Sequence, residues 1–108
     1  MKRGEVWWVN FDPGVGTEIQ KKRPAIIVSN DSANEHLERL QVIPLTTKIE
    51  RLYPSEAYVM LGGQKRKAMA DQLTTVSKLR VDNRIGRISD DDMSLVEEAI
   101  RVQLDLRR

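Results

Sequence analysis

Three positions along the 108-residue chain carry side chains suited to phosphate chemistry. Arg23 directly precedes Pro24, which restricts the backbone there, and a guanidinium group can bind two oxygens of one phosphate. Thr46 and Thr47 end a strand-like segment, so their hydroxyl groups point to opposite faces. Asp71 ends another such segment and could act as a base or hold an arginine. Each position also fits an ordinary role, as a surface arginine, two edge threonines or a turn aspartate, and residue type alone leaves both interpretations open.

The basic residues are clustered, as they are in proteins that bind polyanions. The formal net charge is +2, yet residues 89–108 carry −3 and residues 1–88 therefore carry +5. The clustered residues are Lys21, Lys22, Arg23, Lys65, Arg66, Lys67, Lys78, Arg80, Arg84 and Arg87. A total of +2 argues against tight, purely electrostatic binding to duplex DNA. The pattern favours a polyanion ligand, although any one cluster taken alone also fits a solvated surface.

Several classes of protein are excluded by what the sequence lacks. Cysteine is absent and His36 is the single histidine, which excludes disulfides, thiol nucleophiles and the common zinc sites. No apolar run approaches the ~18–20 residues that span a bilayer, and no signal-peptide pattern opens the chain. The glycines at 14 and 16 lack the context of a nucleotide-binding loop. We therefore expect one cytoplasmic domain over residues 1–108, with no metal, no cofactor and no membrane partner.

Short β-type segments separated by turn signals predict a small, strongly bent antiparallel sheet or barrel. The predicted strands are 5–11, 25–29, 41–47, 56–60, 67–71 and 84–88, with 76–79 either continuing the fifth strand or beginning another. A loop is expected over 12–22 and a short helix over 32–38. Pro44 predicts an edge strand or a bulge, because proline donates no ladder hydrogen bond. Of Trp7 and Trp8, which alternate along the first strand, one is expected in the core and the other at an interface or, less commonly, beneath a base.

The strongest helix pattern is C-terminal. Ser89 or Asp90 can cap it, and the acids at 91 and 92 suit the first turn of a helix. Apolar residues between 93 and 106 cover an arc of roughly 200° at 100° per residue. That arc is wider than one sheet face requires, so part of it packs against a partner subunit or, alternatively, the helix end is wedged into its own domain. The fold class expected is mainly β with one C-terminal α-helix.

Taken together, these segments resemble the MazF/PemK family of toxin endoribonucleases from bacterial toxin–antitoxin systems. The matching segments are Arg-Gly-Glu-Val-Trp-Trp-Val at 3–9, Asp-Pro at 12–13, Gly-Thr-Glu at 16–18, Arg-Pro and an aliphatic strand at 23–30, Pro-Leu-Thr-Thr at 44–47, Asp-Gln at 71–72, and the capped helix from Ser89. They follow the family's order and spacing and cover nearly the whole chain. The Arg-Pro-aliphatic strand after the Gly-x-Glu loop is the most specific of them.

The resemblance implies an SH3-like barrel of the PemK/CcdB type that forms a homodimer. It also implies metal-independent, sequence-specific cleavage of single-stranded RNA, and a cognate antitoxin whose disordered acidic segment blocks the RNA groove. By position, Arg23 and Thr46 match the family's catalytic arginine and threonine. The residues expected to contact RNA are Glu18, Gln20, Lys21, Lys22, Thr47, Asp71 and Gln72.

The implied reaction is attack by the RNA's own 2′-hydroxyl, leaving a 2′,3′-cyclic phosphate and a 5′-hydroxyl. Some members are proposed to use an acid at the position of Asp71 as base, together with an arginine two positions earlier, where this chain has Met69. The version built on Arg23 and Thr46 therefore fits better. Two alternatives remain: a CcdB-like toxin of the same fold that poisons DNA gyrase, and a non-catalytic RNA-binding barrel. Intact Arg23 and Thr46 favour the nuclease.

Overall fold

Seven antiparallel strands form a bent half-barrel that is closed on one side by a C-terminal helix. The computed structural model of the protein describes residues 1–107. The strands are β1 (Glu5–Asn10), β2 (Lys22–Ile27), β3 (Arg39–Thr46), β4 (Glu56–Leu61), β5 (Gln64–Met69), β6 (Thr74–Ser77) and β7 (Val81–Arg87). The helices are α1 (Asp31–His36) and α2 (Asp90–Leu104), with 3₁₀ turns at Ala70–Gln72 and Lys78–Arg80. The predicted fold class, mainly β with one C-terminal helix, is confirmed.

The central strand is β3, which pairs with β2 on one side and with β6 and then β5 on the other. The β6 pairing ends at Val42 and the β5 pairing begins at Leu45, so Pro44 lies where the neighbouring strand changes. The Gln41 carbonyl accepts the N–H of Val28, just after β2, so the backbone groups of Gln41 face β2. Backbone groups of successive residues face opposite neighbours, so those of Pro44 face the other side, where β6 ends and β5 begins. The missing N–H thus falls where no ladder partner is required. The prediction that Pro44 marks an edge strand or a bulge is wrong, because β3 is a central strand and its register with β2 is unbroken from Val42 to Pro44.

Helix α2 buries one face against the sheet and leaves another exposed. The Ser89 hydroxyl accepts the Asp92 N–H and caps the helix, as predicted. Met93 is buried in the core that the helix shares with the sheet. Leu95 and Val102 lie one above the other on the helix and are 52% and 47% exposed. The alternative in which the helix end is wedged into its own domain is therefore wrong, since Val102 and Leu104 are each about half exposed.

The observed strand boundaries differ from the predicted ones where pairing extends a strand past its apolar residues. Strand β2 begins at Lys22 and not at residue 25, so Arg23 lies inside the strand opposite Val9 of β1. Strand β5 ends at Met69, which places Asp71 on a 3₁₀ turn. Residues 74–77 form a strand of their own beside β3, helix α1 ends at residue 36 and not at 38, and β7 begins at 81. Within residues 1–107, neither helix has the length and apolar character needed to cross a membrane.

Candidate functional site

A cleft of about 300 Å³ contains both residues of the predicted catalytic pair. Its lining comprises Trp8, Lys22, Arg23, Pro24, Leu45, Thr46, Thr47, Lys48 and Arg66. Four of these side chains carry a positive charge and none carries a negative one. The cleft therefore combines cations, hydroxyl groups and an apolar surface, a set of groups that suits a phosphate flanked by an aromatic base.

The register of β2 and β3 brings the pair together. Ala25 lies opposite Pro44, and extending this antiparallel register by two residues places Arg23 opposite Thr46. Directly opposite residues project on the same face of a sheet. Two positions that are separated by 22 residues in the sequence are thereby neighbours across adjacent strands.

The Arg23 side chain is exposed, and the loop that precedes β2 orients it. Its Nε donates a hydrogen bond to the Gln20 carbonyl at 3.2 Å. Within residues 1–107 its two terminal nitrogens have no hydrogen-bonding partner, so they are available to a ligand. A guanidinium held at Nε presents its remaining donors to the oxygens of one phosphate.

Thr46 is the half-buried last residue of β3. Its Oγ1 accepts the N–H of Lys48 at 3.2 Å, which leaves the hydroxyl hydrogen available to a ligand oxygen. Thr47 follows outside the strand and is exposed in the same cleft. The cleft thus offers a neutral hydroxyl donor beside the charged arginine.

Arg66 was predicted only as part of a basic cluster, and two further lining residues, Trp8 and Lys48, were not among the predicted site residues. Trp8 lies on β1 opposite Pro24 and is 38% exposed, so it is the tryptophan that faces outward, into the cleft. A sequence signal existed for both: Trp8 alternates with the more buried Trp7, and Lys48 directly follows the threonine pair. An exposed indole beside cations is a surface on which a base can stack.

The lysines of the first loop differ in their surroundings. The Lys22 ammonium forms an ion pair with the Asp82 carboxylate at 2.7 Å, and both side chains are about half exposed. The hydrogen bond and the charge of Lys22 hold the pKa of the Asp82 carboxyl below its usual range. Lys21 has a left-handed backbone, and its N–H donates to Asp12 Oδ1. Lys22 therefore faces a competing anion within the same chain.

Three further predicted site residues line a second cleft, of about 330 Å³, under the first loop, while Gln20 and Lys21 line neither cleft. Glu18, Asp71 and Gln72 lie there and not beside Arg23 and Thr46. One chain alone therefore does not bring the Asp71 carboxylate to Arg23 and Thr46.

Two glutamine side chains that were predicted to contact RNA hold the backbone of the first loop. Gln72 accepts the Ile19 N–H at 3.1 Å and donates to the Thr17 carbonyl at 3.4 Å. The Gln20 amide donates to the Gly16 carbonyl at 3.4 Å. Both amides thus have a visible part in shaping the loop, and their contact with RNA stays a prediction. Among residues 1–107, no group of three or more His, Asp or Glu side chains could hold a metal ion.

Comparison with known proteins gives a consistent set of matches. A model of the PemK-like, MazF-like toxin of type II toxin–antitoxin systems matches residues 2–104. Endoribonuclease MazF9 of Mycobacterium tuberculosis is 37% identical, with 98% of each chain covered. The endoribonuclease toxin MazF of Escherichia coli is 32% identical, with 92% of this chain and 89% of that protein covered.

Solved structures match the fold over its full extent. MazF from Deinococcus radiodurans superposes with a TM-score of 0.87 at 23% identity, with 98% of this chain and 97% of that chain covered. An endoribonuclease in complex with its cognate antitoxin, from a mycobacterial species, superposes with a TM-score of 0.83 at 23% identity, with 100% and 98% covered. At these identities the structural likeness establishes a shared fold.

Proposed function

This chain belongs to the PemK-like, MazF-like family of type II toxins, and on that premise we propose that it is an endoribonuclease that cuts single-stranded RNA at a short sequence. One observation carries the proposal: Arg23 and Thr46 line the same cleft, with free donors on both side chains. The cations around them favour a polyanion, and the exposed indole of Trp8 favours an unpaired base.

The chemistry proposed for this cleft is intramolecular attack within the RNA. The 2′-oxygen forms a bond to the adjacent phosphorus, and the bond from phosphorus to the 5′-oxygen breaks. The products are a 2′,3′-cyclic phosphate and a 5′-hydroxyl, the 2′-proton being lost and a proton being gained by the leaving oxygen. Arg23 stabilises the charge that develops on the phosphate and is also a candidate donor to the leaving oxygen, while Thr46 donates to a non-bridging oxygen.

Assembly and regulation follow from two surfaces. The exposed apolar face of α2, which includes Leu95 and Val102, favours a homodimer, since a small chain gains stability by covering such a face. The four cations of the cleft favour a cognate antitoxin with a disordered acidic segment that competes with RNA. We place this toxin–antitoxin pair in the cytoplasm, where its RNA substrate is found.

The function is tested by incubating purified protein with a long unstructured RNA in excess EDTA. We expect cleavage without added metal, fragments with 5′-hydroxyl ends, and a sedimenting species heavier than the 12.4 kDa monomer. Cleavage that requires added magnesium would contradict the proposed chemistry. RNA that is bound but left intact would indicate the non-catalytic barrel, and a protein that neither binds nor cuts RNA would indicate a toxin with another target.

A further inference from the structure

Lys67, on β5, is the only buried charged residue among residues 1–107, at 8% exposure. Its Nζ forms an ion pair with Glu56 Oε1 at 3.1 Å and donates to the Arg51 carbonyl at 2.9 Å. The same nitrogen lies 5.6 Å from the centre of the Tyr53 ring. A carboxylate, a carbonyl and an aromatic face thus surround an ammonium group that has three hydrogens to donate.

These contacts fasten the β3–β4 loop, residues 47–55, to the sheet. Glu56 Oε1 also accepts the N–H of Tyr53, at 2.8 Å. Nearer the start of the loop, the Tyr58 hydroxyl donates to the Ile49 carbonyl at 2.7 Å. Side chains from β4 and β5 therefore hold the loop backbone at three points along its length.

The fastened loop forms one side of the cleft. In the ladder between β3 and β5, Lys67 is the direct partner of Thr46. The loop begins with Thr47 and Lys48, which line the cleft, and the Lys48 N–H is bonded to Thr46 Oγ1. The position of the loop therefore determines where the Thr46 hydroxyl and the Lys48 ammonium lie relative to a bound phosphate.

Stability alone does not require an ion pair at this place. Replacing a buried ion pair by apolar residues of similar volume is often neutral or stabilising, because burial removes the solvation of both charges. Apolar side chains would only pack against the loop, whereas Lys67 and Glu56 each form a hydrogen bond with one defined backbone atom and so fix the orientation of the loop. We propose that Lys67, together with Glu56, is a positioning residue that fixes the loop and thereby the Thr46 hydroxyl. This inference rests on the proposed nuclease function.

The test is a double-mutant cycle between the ion pair and Thr46. In the variant Lys67→Met/Glu56→Gln no buried charge is left unpaired, and the glutamine can still accept the Tyr53 N–H. We expect kcat for RNA cleavage to fall by up to about tenfold, no more than for loss of the Thr46 hydroxyl itself, with KM little changed. Adding Thr46→Val to this variant should cost less than it costs in the wild type, because the hydroxyl is already misplaced.

A matched control is Arg3→Met/Glu97→Gln, which removes a partly exposed ion pair that touches α2 and no residue of the cleft. This control should lower the melting temperature and leave kcat unchanged. If the Lys67 variant fails to fold, Tyr58→Phe removes only the bond to Ile49 and should show the same loss and the same reduced effect of Thr46→Val. Equal costs of Thr46→Val in both backgrounds, or an unchanged kcat, would overturn the positioning role. A wild type that does not cleave RNA would instead overturn the proposed function, and this inference with it.

Discussion

At the scale of single residues, the proposed catalytic pair consists of two side chains with different tasks. The Arg23 guanidinium group is charged and exposed, and its Nε donates to the Gln20 carbonyl. The Thr46 hydroxyl is neutral and half-buried, and its acceptor side is occupied by a backbone N–H. Loss of the charged group should therefore be the more damaging of the two changes.

Replacing Arg23 tests directly whether its guanidinium group binds the phosphate through two donors. We expect Arg23→Ala and Arg23→Lys both to slow single-turnover cleavage by roughly 10²–10³-fold, because a lysine point charge does not reproduce bidentate donation. Thr46→Val should slow it about tenfold, as expected for one neutral hydrogen bond. Arg39→Lys, a change at the opposite end of β3, is the control and should leave the rate unchanged. An Arg23→Lys enzyme that cleaves at the normal rate would show that Arg23 is not the phosphate clamp.

Residue type made Arg23, Thr46 and Thr47 candidates without deciding their role, and the family resemblance then singled out Arg23 and Thr46; for other residues, residue type did not indicate the surroundings. An amide can bind RNA or a loop backbone equally well, so nothing in the sequence showed that Gln72 bonds to the first loop. Lys67 belongs to a run of basic residues that indicated a polyanion-binding or solvated surface, not a buried side chain. Its burial depends on a loop that folds back over β5, which is a long-range contact without a local pattern.

At the scale of elements, the apolar alternation of the sequence located the strands, and pairing decided their ends and neighbours. The cap of α2 could be predicted, since Ser89 has a side chain that accepts a first-turn N–H. The environment of Pro44 could not be predicted from the sequence, because it depends on where β6 ends and β5 begins beside β3. The inclusion of Arg23 in β2 likewise depends on its partner strand β1.

The contact between β1 and the edge strand β7 includes a carboxylate whose titration should affect stability. Burial of Glu5 raises the pKa of its carboxyl, but hydrogen bonds from the Lys2 N–H and the Trp7 indole, with the charge of Arg84, hold that pKa below its ordinary value of 4.5. A group with a lowered native pKa stabilises the fold fully above the unfolded value. Its contribution is lost as the pH falls through the lower, native value.

Urea unfolding of Glu5→Gln between about pH 5 and pH 3 measures this contribution. We expect the free energy of unfolding of the variant to fall less steeply with acid than that of the wild type. At neutral pH the variant should lose less than about 1 kcal/mol, because Arg84 is half exposed and its charge is screened. If the free energy of unfolding falls equally steeply with acid in both proteins, the ionised Glu5 carboxylate does not stabilise the fold.

At the scale of the whole molecule, separate segments of the chain supply the charge of the cleft. Lys22 and Arg23 come from β2, Lys48 from the β3–β4 loop and Arg66 from β5. The composition showed an excess of positive charge over residues 1–88, and the fold concentrates part of it at one site. That convergence could not be predicted without the strand order, because the β4–β5 hairpin reaches the cleft only through the pairing of β5 with β3.

The salt dependence of RNA binding should show which of the cleft's positively charged residues contact a phosphate. Each phosphate neutralised on a single strand contributes about −0.7 to the slope of log affinity against log salt, and we expect roughly three or four such contacts. Lys48→Ala should flatten the slope by about 0.7. Asp82→Asn should do the opposite, because it removes the carboxylate that now holds Lys22 at 2.7 Å and so frees a cation for RNA.

Titration of single-stranded 2′-O-methyl RNA, which cannot be cleaved by attack of a 2′-hydroxyl, gives both slopes without turnover. Arg39→Ala removes an exposed cation at the far end of β3, roughly 20 Å from the cleft at ~3.3 Å per residue, and should leave the slope unchanged. The proposed acidic antitoxin segment should follow the same order, binding Asp82→Asn more tightly and Lys48→Ala more weakly than the wild type. If Arg39→Ala flattens the slope as much as Lys48→Ala, or if Asp82→Asn weakens binding, the RNA does not follow the cleft formed by β2, β3 and β5.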